Sequence, residues 1–298
     1  MGNKRSLKER YLYWTTFKWI VGIADFDKEA IFDPDRRLNI HWIKNTPNNS
    51  WFADPFILKV SDNHIYILVE ELFYSNNKGR ISKLIVNRQN WKLEQVVPVI
   101  DIATHLSFPA YYRDNGKIYI YPESTKSGKL TLYEYDDNTD IATPVKILSN
   151  YPLADAALLN YKGDDIILAT TSPRDNGKVL DIYSCNDNSA TPINKIIFKT
   201  NVARNAGLPF IIDGRIIRPA QDCSKSYGSC VVLQEMIHKE NAIEFNEIKR
   251  FFSPLFNYRE AFHTFNVFDN QMIAVDAEGF RFGIWAQIIY HIREFFRR

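Results

Sequence analysis

The chain has 298 residues, 45% of them hydrophobic and 14% aromatic, which supplies enough apolar material for a large core and excludes disorder over most of its length. Lys and Arg number 37 against 35 Asp and Glu, so the net charge is only +2, and without a nucleic-acid motif we expect no nucleic-acid partner. Three cysteines without CxxC spacing fit a reducing compartment, so we expect a cytoplasmic protein that needs no metal or other cofactor.

The first apolar stretch runs from Tyr11 to Ala24 and follows several basic residues. Thr15, Thr16 and Lys18 interrupt it, and no clear small-residue cleavage site follows. The stretch therefore predicts neither a signal peptide nor a membrane span. The segments FKWIVGIAD and LNIHWIKN are instead typical of β-strands.

A unit of two hydrophobic strands around a tight turn then recurs five times. The copies begin at WFADPFILKV, HLSFPAYYRD, PLADAALLNY, RNAGLPFIID and AFHTFNVFDN, and their turns are spaced by 47 to 56 residues. That spacing is typical of a four-stranded propeller blade, and strand-like pieces between the hairpins supply the outer strands. We therefore predict an all-β fold, a five-bladed β-propeller over residues 1–279 whose ring is closed by an N-terminal strand. A two-sheet sandwich is the main alternative.

The last segment, residues 280–298, has a different pattern. Apolar residues recur there at spacings of three and four, which predicts an amphipathic helix, and Arg293, Arg297 and Arg298 make it basic. Two interpretations stay open. The helix lies on an anionic membrane, which would place the protein peripherally at the inner membrane face, or it packs on the side of the propeller.

Polar residues concentrate at one predicted end of the propeller. In each hairpin the start of the first strand and the end of the second are equally far from the turn, so they share a face. Asp54 lies nine residues before the turn at Asn63, and Glu71 lies eight after it. The same count brings these further residues to this end: Glu70, Glu123, Asp155, Arg204, Arg218, Gln221, Asp222, His263, Asp276 and Glu278.

The string RPAQDCSKSYG is a dense polar cluster directly after an apolar strand. It holds Arg218, Gln221, Asp222, Lys225 and Tyr227, an arrangement that is costly unless the cluster binds a ligand. Carboxylates around a funnel suit sugar chemistry, because they hydrogen-bond vicinal hydroxyls, act as general acid or base, and stabilise oxocarbenium-like charge. We therefore predict a sugar or nucleotide-sugar ligand.

Several motifs resemble a known family. WFADPF, HLSFPAYY, YPES, the Asn-Ala-Gly run at 205–207, RPAQDCSKSYG and HTFNVFD are similar to the N-terminal domain of the plant glucosamine inositolphosphorylceramide transferases. The resemblance implies a role in glycolipid or surface-polysaccharide synthesis. In the plant proteins a separate C-terminal domain is thought to perform the transfer, and it has no counterpart here, so the activity does not carry over automatically.

More distantly, the layout is similar to the five-bladed glycoside hydrolases of the family-43 type. Those enzymes use an Asp of blade one as general base, an Asp of blade three to orient and tune, and a Glu of blade four as general acid. Asp54 matches the first position and Asp155 the second, but no carboxylate stands near Asn205 to Gly207, where the third is expected. Without a proton donor, hydrolysis of an ordinary glycoside would be impaired.

The leading hypothesis is an enzyme of glycan synthesis that uses a phosphate- or nucleotide-activated sugar. Asp54 would be the base, Asp155 would orient it, and Asp222 would be the acid or a sugar ligand. A phosphate leaving group needs cations rather than an acid. The candidate cations are Arg204, Arg218, Lys225 and His263.

Three alternatives stay open. One is a hydrolase whose acid is displaced to Asp222 or Glu123. Another is a non-catalytic glycan-binding propeller that assists a partner transferase. The last is a plain interaction scaffold.

Overall fold

The computed structural model describes residues 7–185, 189–239 and 242–296, and these residues form five four-stranded antiparallel sheets. Each sheet is one blade of a five-bladed β-propeller, as the repeat predicts.

The strands of each blade are as follows. Blade one contains β3 (Ser50–Val60), β4 (His64–Phe73), β5 (Lys78–Asn87) and β6 (Leu93–Ile100); blade two contains β7 (Tyr111–Asp114), β8 (Lys117–Ile120), β9 (Leu130–Asp136) and β10 (Ile141–Ser149). Blade three contains β11 (Leu153–Tyr161), β12 (Asp164–Thr171), β13 (Val179–Ser184) and β14 (Thr191–Ile197); blade four contains β15 (Phe210–Ile212), β16 (Arg215–Asp222), β17 (Cys230–Lys239) and β18 (Ala242–Phe251). Blade five contains β19 (Phe265–Phe268), β20 (Met272–Phe280), β1 (Phe17–Asp25) and β2 (Ile40–Trp42).

Blade five closes the ring, because it joins strands from distant parts of the chain. Its order is β19-β20-β1-β2, and β1 pairs with β20 from Phe17 opposite Phe280 to Asp25 opposite Met272. This confirms the prediction of an N-terminal closing strand. Closure pairs strand edges that would otherwise stay exposed.

Turn chemistry explains why the hairpins form where they do. Two consecutive residues with positive φ make the turn at Asn115-Gly116 and at Asp213-Gly214. Such pairs are typical of the two-residue hairpin turn whose twist matches that of the strands it joins. Asn, Asp and Gly are the residues that tolerate the positive φ of this turn.

The hydrophobic core lies between neighbouring blades. One cluster joins blades one, two and three, with Phe56, Phe108 and Ile167 among its members, and another joins blades four and five, with Val231 and Phe265. Each sheet is therefore apolar on both faces, and the polar side chains lie at the ends of its strands.

Three α-helices accompany the propeller in the described part of the chain: α1 (Leu7–Trp14), α2 (Lys28–Phe32) and α3 (Ile284–Phe295). The predicted C-terminal helix thus begins at Ile284 rather than 280, because Phe280 still belongs to β20; residues 297–298 lie outside the described part. One side of α3 packs on the propeller, where Gln287 donates to Glu260 at 2.6 Å. Within the described residues no helix has the length and apolarity to cross a bilayer.

Candidate functional site

Two aspartates occupy matching bulges near the start of the first strand of blades one and three. Asp54 has a φ of +50° and Asp155 one of +44°, a left-handed backbone that is uncommon outside glycine. The register with the neighbouring strand shifts at both positions. A bulge redirects the side chain and is frequent next to active sites. The two carboxylates therefore lie at one end of the propeller, where the hairpin count predicts them.

Asp54 is buried and connects blade one to blades two and five. Its Oδ2 accepts the N–H of Phe108 at 2.9 Å, and its Oδ1 accepts the hydroxyl of Thr264 at 3.2 Å. Its own N–H donates to Asp276 Oδ2 at 3.0 Å. Burial raises the pKa of Asp54 to about 7, although the charge of His263 opposes the rise. A carboxyl group that titrates near neutral pH is suited to general base catalysis.

His263 lies between two carboxylates and against an indole ring. Its Nδ1 is 2.8 Å from Asp276 Oδ1, and its Nε2 is 3.5 Å from Asp54 Oδ1. Burial alone would lower the pKa of His263, but the two carboxylates outweigh burial and raise it to about 9. Trp19 stacks on the imidazole with 4.0 Å between ring centroids. The ring is therefore charged at neutral pH and fixed in place.

The same cluster has the donor set of a cation site. Asp54, His263 and Asp276 each have one possible ligand atom, a carboxylate oxygen or an imidazole nitrogen, that lies within 4.8 Å of the corresponding atoms of the other two. A metal there would have to displace a proton from the imidazole, because both ring nitrogens face carboxylate oxygens. That the protein needs no metal stays a prediction.

Asp155 is the centre of a second cluster. Arg204 Nε and Gln221 Nε2 both donate to Asp155 Oδ2, at 2.6 and 2.7 Å. Glu123 Oε2 accepts the backbone N–H of Asp155 at 3.0 Å and Arg204 Nη2 at 3.1 Å. Arg204 also pairs with Asp175 at 2.7 Å. Arg204 is thus surrounded by three carboxyl groups and holds them together.

The second cluster also contains polar oxygens that lack partners. Thr170 Oγ1 and Gln221 Oε1 are buried and hydrogen-bond to none of the described residues. Buried polar atoms are normally paired, so these two oxygens are exceptions to that pattern. Burial raises the pKa of Glu123 well above its ordinary value, against the opposing charge of Arg204.

Tyr227 connects the two clusters at the solvent side. The guanidinium carbon of Arg204 is 5.3 Å from the centre of its ring, and the ring meets His263 edge-on with 5.4 Å between centroids. The side chain is 42% exposed, so it faces any ligand that enters. Lys225 is exposed on the same segment. The predicted residues brought together are Asp54, Glu123, Asp155, Arg204, Gln221, Tyr227 and His263.

Arg218 lies elsewhere, and its placement does not fit the predicted role of facing a phosphate. It is fully buried inside blade four, where Nε donates to Asn205 Oδ1 and Nη1 to Gln234 Oε1, both at 2.7 Å. Asn205 in turn donates to the carbonyl oxygens of Asp155 and Leu168, at 2.7 and 2.8 Å. The position where the family-43 pattern expects an acid therefore holds a structural amide.

Asp222 and Glu71 also lie outside the two clusters. Asp222 pairs with Arg250 and accepts the N–H of Ser224 at 2.8 Å. Burial alone would raise its pKa, but these hydrogen bonds outweigh burial and lower it, so Asp222 does not fit the predicted role of an acid. Glu71 is bound within blade one by Arg80 at 2.8 Å and by two serine hydroxyls.

Two other glutamates face this end of the propeller. Glu70 Oε1 lies 3.2 Å from His105 Nε2, while His105 Nδ1 accepts the N–H of Gly79 at 3.0 Å. Glu278 occupies the corresponding register position in blade five, and burial raises its pKa to about 8. The alternation of side chains shows that only one of two adjacent glutamates can face the site, but it does not say which one.

The fold and the two clusters together define a five-bladed propeller of carbohydrate-active type. The chain belongs to the family described as "Glucosamine inositolphosphorylceramide transferase 1, N-terminal", which it matches over residues 41–276. It is 31% identical over 212 residues to glucosamine inositolphosphorylceramide transferase 1 of Oryza sativa subsp. japonica, and 30% identical over 222 residues to that of Arabidopsis thaliana. These matches cover 68% and 70% of this chain but 28% of each relative.

The solved structures that superpose on this chain include glycoside hydrolases. The GH43_1 enzyme of Xanthomonas citri superposes with a TM-score of 0.52 at 10% identity, over 78% of this chain and 88% of that enzyme. The exo-β-1,3-galactanase of Phanerochaete chrysosporium superposes with a TM-score of 0.54 at 9% identity, over 70% of this chain and 53% of the galactanase. At such identities the likeness concerns the fold. Both resemblances stated from the sequence are thereby confirmed.

Proposed function

We propose that the protein transfers a glycosyl group from a phosphate- or nucleotide-activated sugar to an acceptor in glycolipid or surface-glycan synthesis. The observation that carries this proposal is the division of the site into two clusters. One, around Asp54, contains groups that can exchange a proton near neutral pH. The other, around Asp155, is held together by ion pairs to Arg204. The names of the plant relatives support the same class of activity.

The chemistry assigned to Asp54 is removal of the proton from the acceptor hydroxyl. The acceptor oxygen forms a bond to the anomeric carbon while the bond from that carbon to the phosphate oxygen breaks and the phosphate leaves with the electron pair. Phe108 and Thr264 hold the carboxylate of Asp54 by hydrogen bonds, so its oxygens keep a fixed direction. The proton ends on Asp54, next to the charged His263.

Transfer from a phosphate fits blade four better than hydrolysis does. Asn205 and Arg218 are fully buried and bonded to the protein there, so that blade supplies no proton donor at the position the hydrolase pattern requires. A phosphate leaves without being protonated if positive charge is near. Arg204 and His263 are both buried and paired with carboxyl groups, so the exposed Lys225 is the cation that would meet a phosphate.

Asp54→Asn tests this proposal, with Asp62→Asn as the matched control because Asp62 is exposed at the turn end of the same blade. Binding of uridine and guanosine diphosphate sugars is measured by calorimetry, and release of the nucleoside diphosphate by chromatography. We expect Asp54→Asn to reduce turnover by about 100-fold or more while affinity stays within about threefold. Turnover that survives Asp54→Asn would contradict the assignment. Sugar binding without turnover by the unaltered protein would leave a glycan-binding propeller.

A second candidate is hydrolysis with Glu123 as the acid. The specific observation in its favour is that burial raises the pKa of Glu123 well above its ordinary value, while its Oε2 accepts the backbone N–H of Asp155. Cleavage of aryl glycosides by the unaltered protein, lost in Glu123→Gln and without release of nucleotide from any sugar nucleotide, would favour this candidate over transfer.

A further inference from the structure

The groups to which we assign chemistry are closed off from solvent. Asp54, Asp155 and His263 are 4%, 2% and 3% exposed, so neither cluster is open to a sugar in this conformation. A ligand that contacts both clusters therefore enters only after part of the surrounding protein has moved. The connection between β16 and β17 lies at the solvent side of both clusters and carries Tyr227.

The ring of Tyr227 occupies the space where the two clusters meet. Its centre lies 5.3 Å from the guanidinium carbon of Arg204, which belongs to one cluster, and 5.4 Å from the imidazole centre of His263, which belongs to the other. Although the residue is 42% exposed, burial raises the pKa of its hydroxyl well above the ordinary value, and the charges of Asp155 and Asp54 add to the rise. The hydroxyl therefore lies on the side of the clusters, and a ligand that touches both of them must take the place of this ring.

The base of the connection, residues 223–229, is held firmly. The backbone oxygen of Asp222 accepts the N–H of Ser229 at 2.9 Å and its hydroxyl at 2.8 Å. The carboxylate of Asp222 accepts the N–H of Ser224 at 2.8 Å, and Cys223 donates its N–H to the carbonyl oxygen of Asn201 at 2.8 Å. Both ends of the connection, which we call the strap, are thereby fixed to the propeller.

The tip of the strap has no such anchors. No hydrogen bond or ion pair joins Lys225, Ser226 or Tyr227 to another residue of the described part of the chain. The contacts that hold the tip closed are those of the Tyr227 ring with Arg204 and His263. Aromatic and cation–π contacts are individually weak, so the tip can leave the clusters without breaking a hydrogen bond.

Gly228 provides a fixed point next to the tip. Its φ is +55°, a left-handed conformation that glycine adopts readily. A Cβ at this position would lie 2.5 Å from the Cβ of His263, and the carbonyl oxygen of Gly228 accepts the N–H of Phe262 at 2.9 Å. The backbone of Gly228 is thus held against the Asp54 cluster, and rotation about the bonds that precede it moves Tyr227 away from that cluster.

We propose that the strap is a gate: Tyr227 closes the space over the two clusters in the free protein, and the tip moves outward beside Gly228 to admit a ligand. The closed gate keeps water from Asp54 until a ligand enters. Lys225 moves with the tip, so opening also carries the cation that the proposed function assigns to a phosphate. The gate rests on the proposed function for that one point.

The gate is tested by measuring access to Asp54 in the absence of any ligand. Carboxyl groups are labelled with a water-soluble carbodiimide and glycinamide at slightly acid pH, and the labelled positions are read by mass spectrometry. Two carboxyl groups are internal references, since Asp62 is exposed and Glu71 is buried and bound within blade one. Each rate is divided by the rate of the same carboxyl group in urea, which removes differences in intrinsic reactivity.

The variants separate the ring of Tyr227 from its hydroxyl. Tyr227→Ala removes the ring, whereas Tyr227→Phe keeps the ring and its contacts. Tyr151→Ala is the matched control, because Tyr151 is also 42% exposed but its ring contacts Tyr183 in blade three.

In the unaltered protein we expect Asp54 to be labelled about tenfold more slowly than Asp62 or slower still, but faster than Glu71, because opening of the strap requires less free energy than unfolding. In Tyr227→Ala the labelling of Asp54 should be about tenfold faster or more. Tyr227→Phe and Tyr151→Ala should label Asp54 within about threefold of the unaltered rate, and the rate of Glu71 should be the same in all of these proteins.

Three results would overturn the gate. One is an unchanged rate for Asp54 in Tyr227→Ala. Another is equal rates for Asp54 and Glu71 in the unaltered protein, since the site would then open only on unfolding. The last is equal rates for Asp54 and Asp62, since the site would then not be closed.

The gate and the proposed function fail in different ways. If sugar nucleotides are turned over in an Asp54-dependent manner but Tyr227 does not control the labelling, the gate is wrong and the proposed function stands. If Tyr227→Ala opens the site but no donor is turned over, the gate stands and the transferase assignment is wrong. Circular dichroism and melting curves of every variant confirm that it is folded before the rates are compared.

Discussion

Replacing Asp276 by Asn tests whether His263 is charged at neutral pH. Asp276 Oδ1 lies 2.8 Å from His263 Nδ1 and also accepts the backbone N–H groups of His263 and Thr264, at 3.2 and 3.0 Å. An amide oxygen can keep the two backbone hydrogen bonds after the negative charge is lost. The amide NH2 that takes the place of Oδ2 can no longer accept the N–H of Asp54, so the substitution removes that hydrogen bond together with the charge.

The expected size of the effect follows from the causes of the pKa shift. Burial alone lowers the pKa of His263, and Asp276 is the largest influence that raises it from 6.5 to about 9. A rise of about 2.5 units corresponds to roughly 3 kcal/mol, at about 1.4 kcal/mol per unit. Because the folded pKa is the higher one, this stability is fully present below pH 6.5 and is lost as the pH rises through 9. In Asp276→Asn we expect the midpoint of His263 to fall, because Asp276 is the largest influence that opposes burial.

Proton NMR of the histidine rings against pH measures this midpoint, with the His263 signal assigned by its disappearance in His263→Gln. Fluorescence of the stacked Trp19 gives a second readout, since a charged imidazole in contact with an indole changes its emission. Asp222→Asn is the control, because that carboxylate pairs with Arg250 and not with His263. A midpoint near 6.5 in the unaltered protein, or one that stays near 9 in Asp276→Asn, would refute the electrostatic reasoning.

Three further outcomes follow from the structure. Arg204→Met should destabilise the fold by about 3–5 kcal/mol in urea denaturation, because it leaves Asp155 buried and unpaired; a loss below about 1 kcal/mol would contradict the role of Arg204 as the central cation. Gly207→Ala should lower stability by about 1–3 kcal/mol, since the new Cβ would lie 2.2 Å from the carbonyl oxygen of Phe265, and an unchanged melting temperature would refute that close approach. Asp222→Asn should leave sugar affinity within about twofold in calorimetry, and a large loss would place Asp222 at the ligand after all.

The fold was predictable because its determinants are local and repeated. Each hairpin carries its own turn residues, such as Asn115-Gly116 and Asp213-Gly214, and the repeat length sets the number of strands in a blade. The end of the propeller that holds Asp54 and Asp155 was predictable for the same reason, since equal distances from a turn bring residues to one edge.

The partners within the site were not predictable, because they depend on contacts between residues that are distant in the sequence. Asp222 meets Arg250, which stands 28 positions later in the sequence, on β18. Arg218 is long enough to turn back into its own blade and bond to Asn205, so a cation in the right register need not face the ligand. Trp19 reaches His263 only because ring closure brings the N-terminal strand beside β20.

The contrast between the two clusters supports the roles that we propose for them. Around Arg204 three carboxyl groups are bound to one guanidinium, so we expect that cluster to hold a sugar rather than to exchange a proton. Around His263 the environment gives two neighbouring groups different pKa values, about 7 for Asp54 and about 9 for His263, and such separation is typical of groups that take opposite parts in proton transfer. Asp155→Asn should therefore weaken sugar binding, and Asp54→Asn should mainly reduce turnover. If both substitutions changed sugar affinity equally and left turnover unchanged, the assignment of sugar binding to the Asp155 cluster and proton transfer to the Asp54 cluster would be wrong.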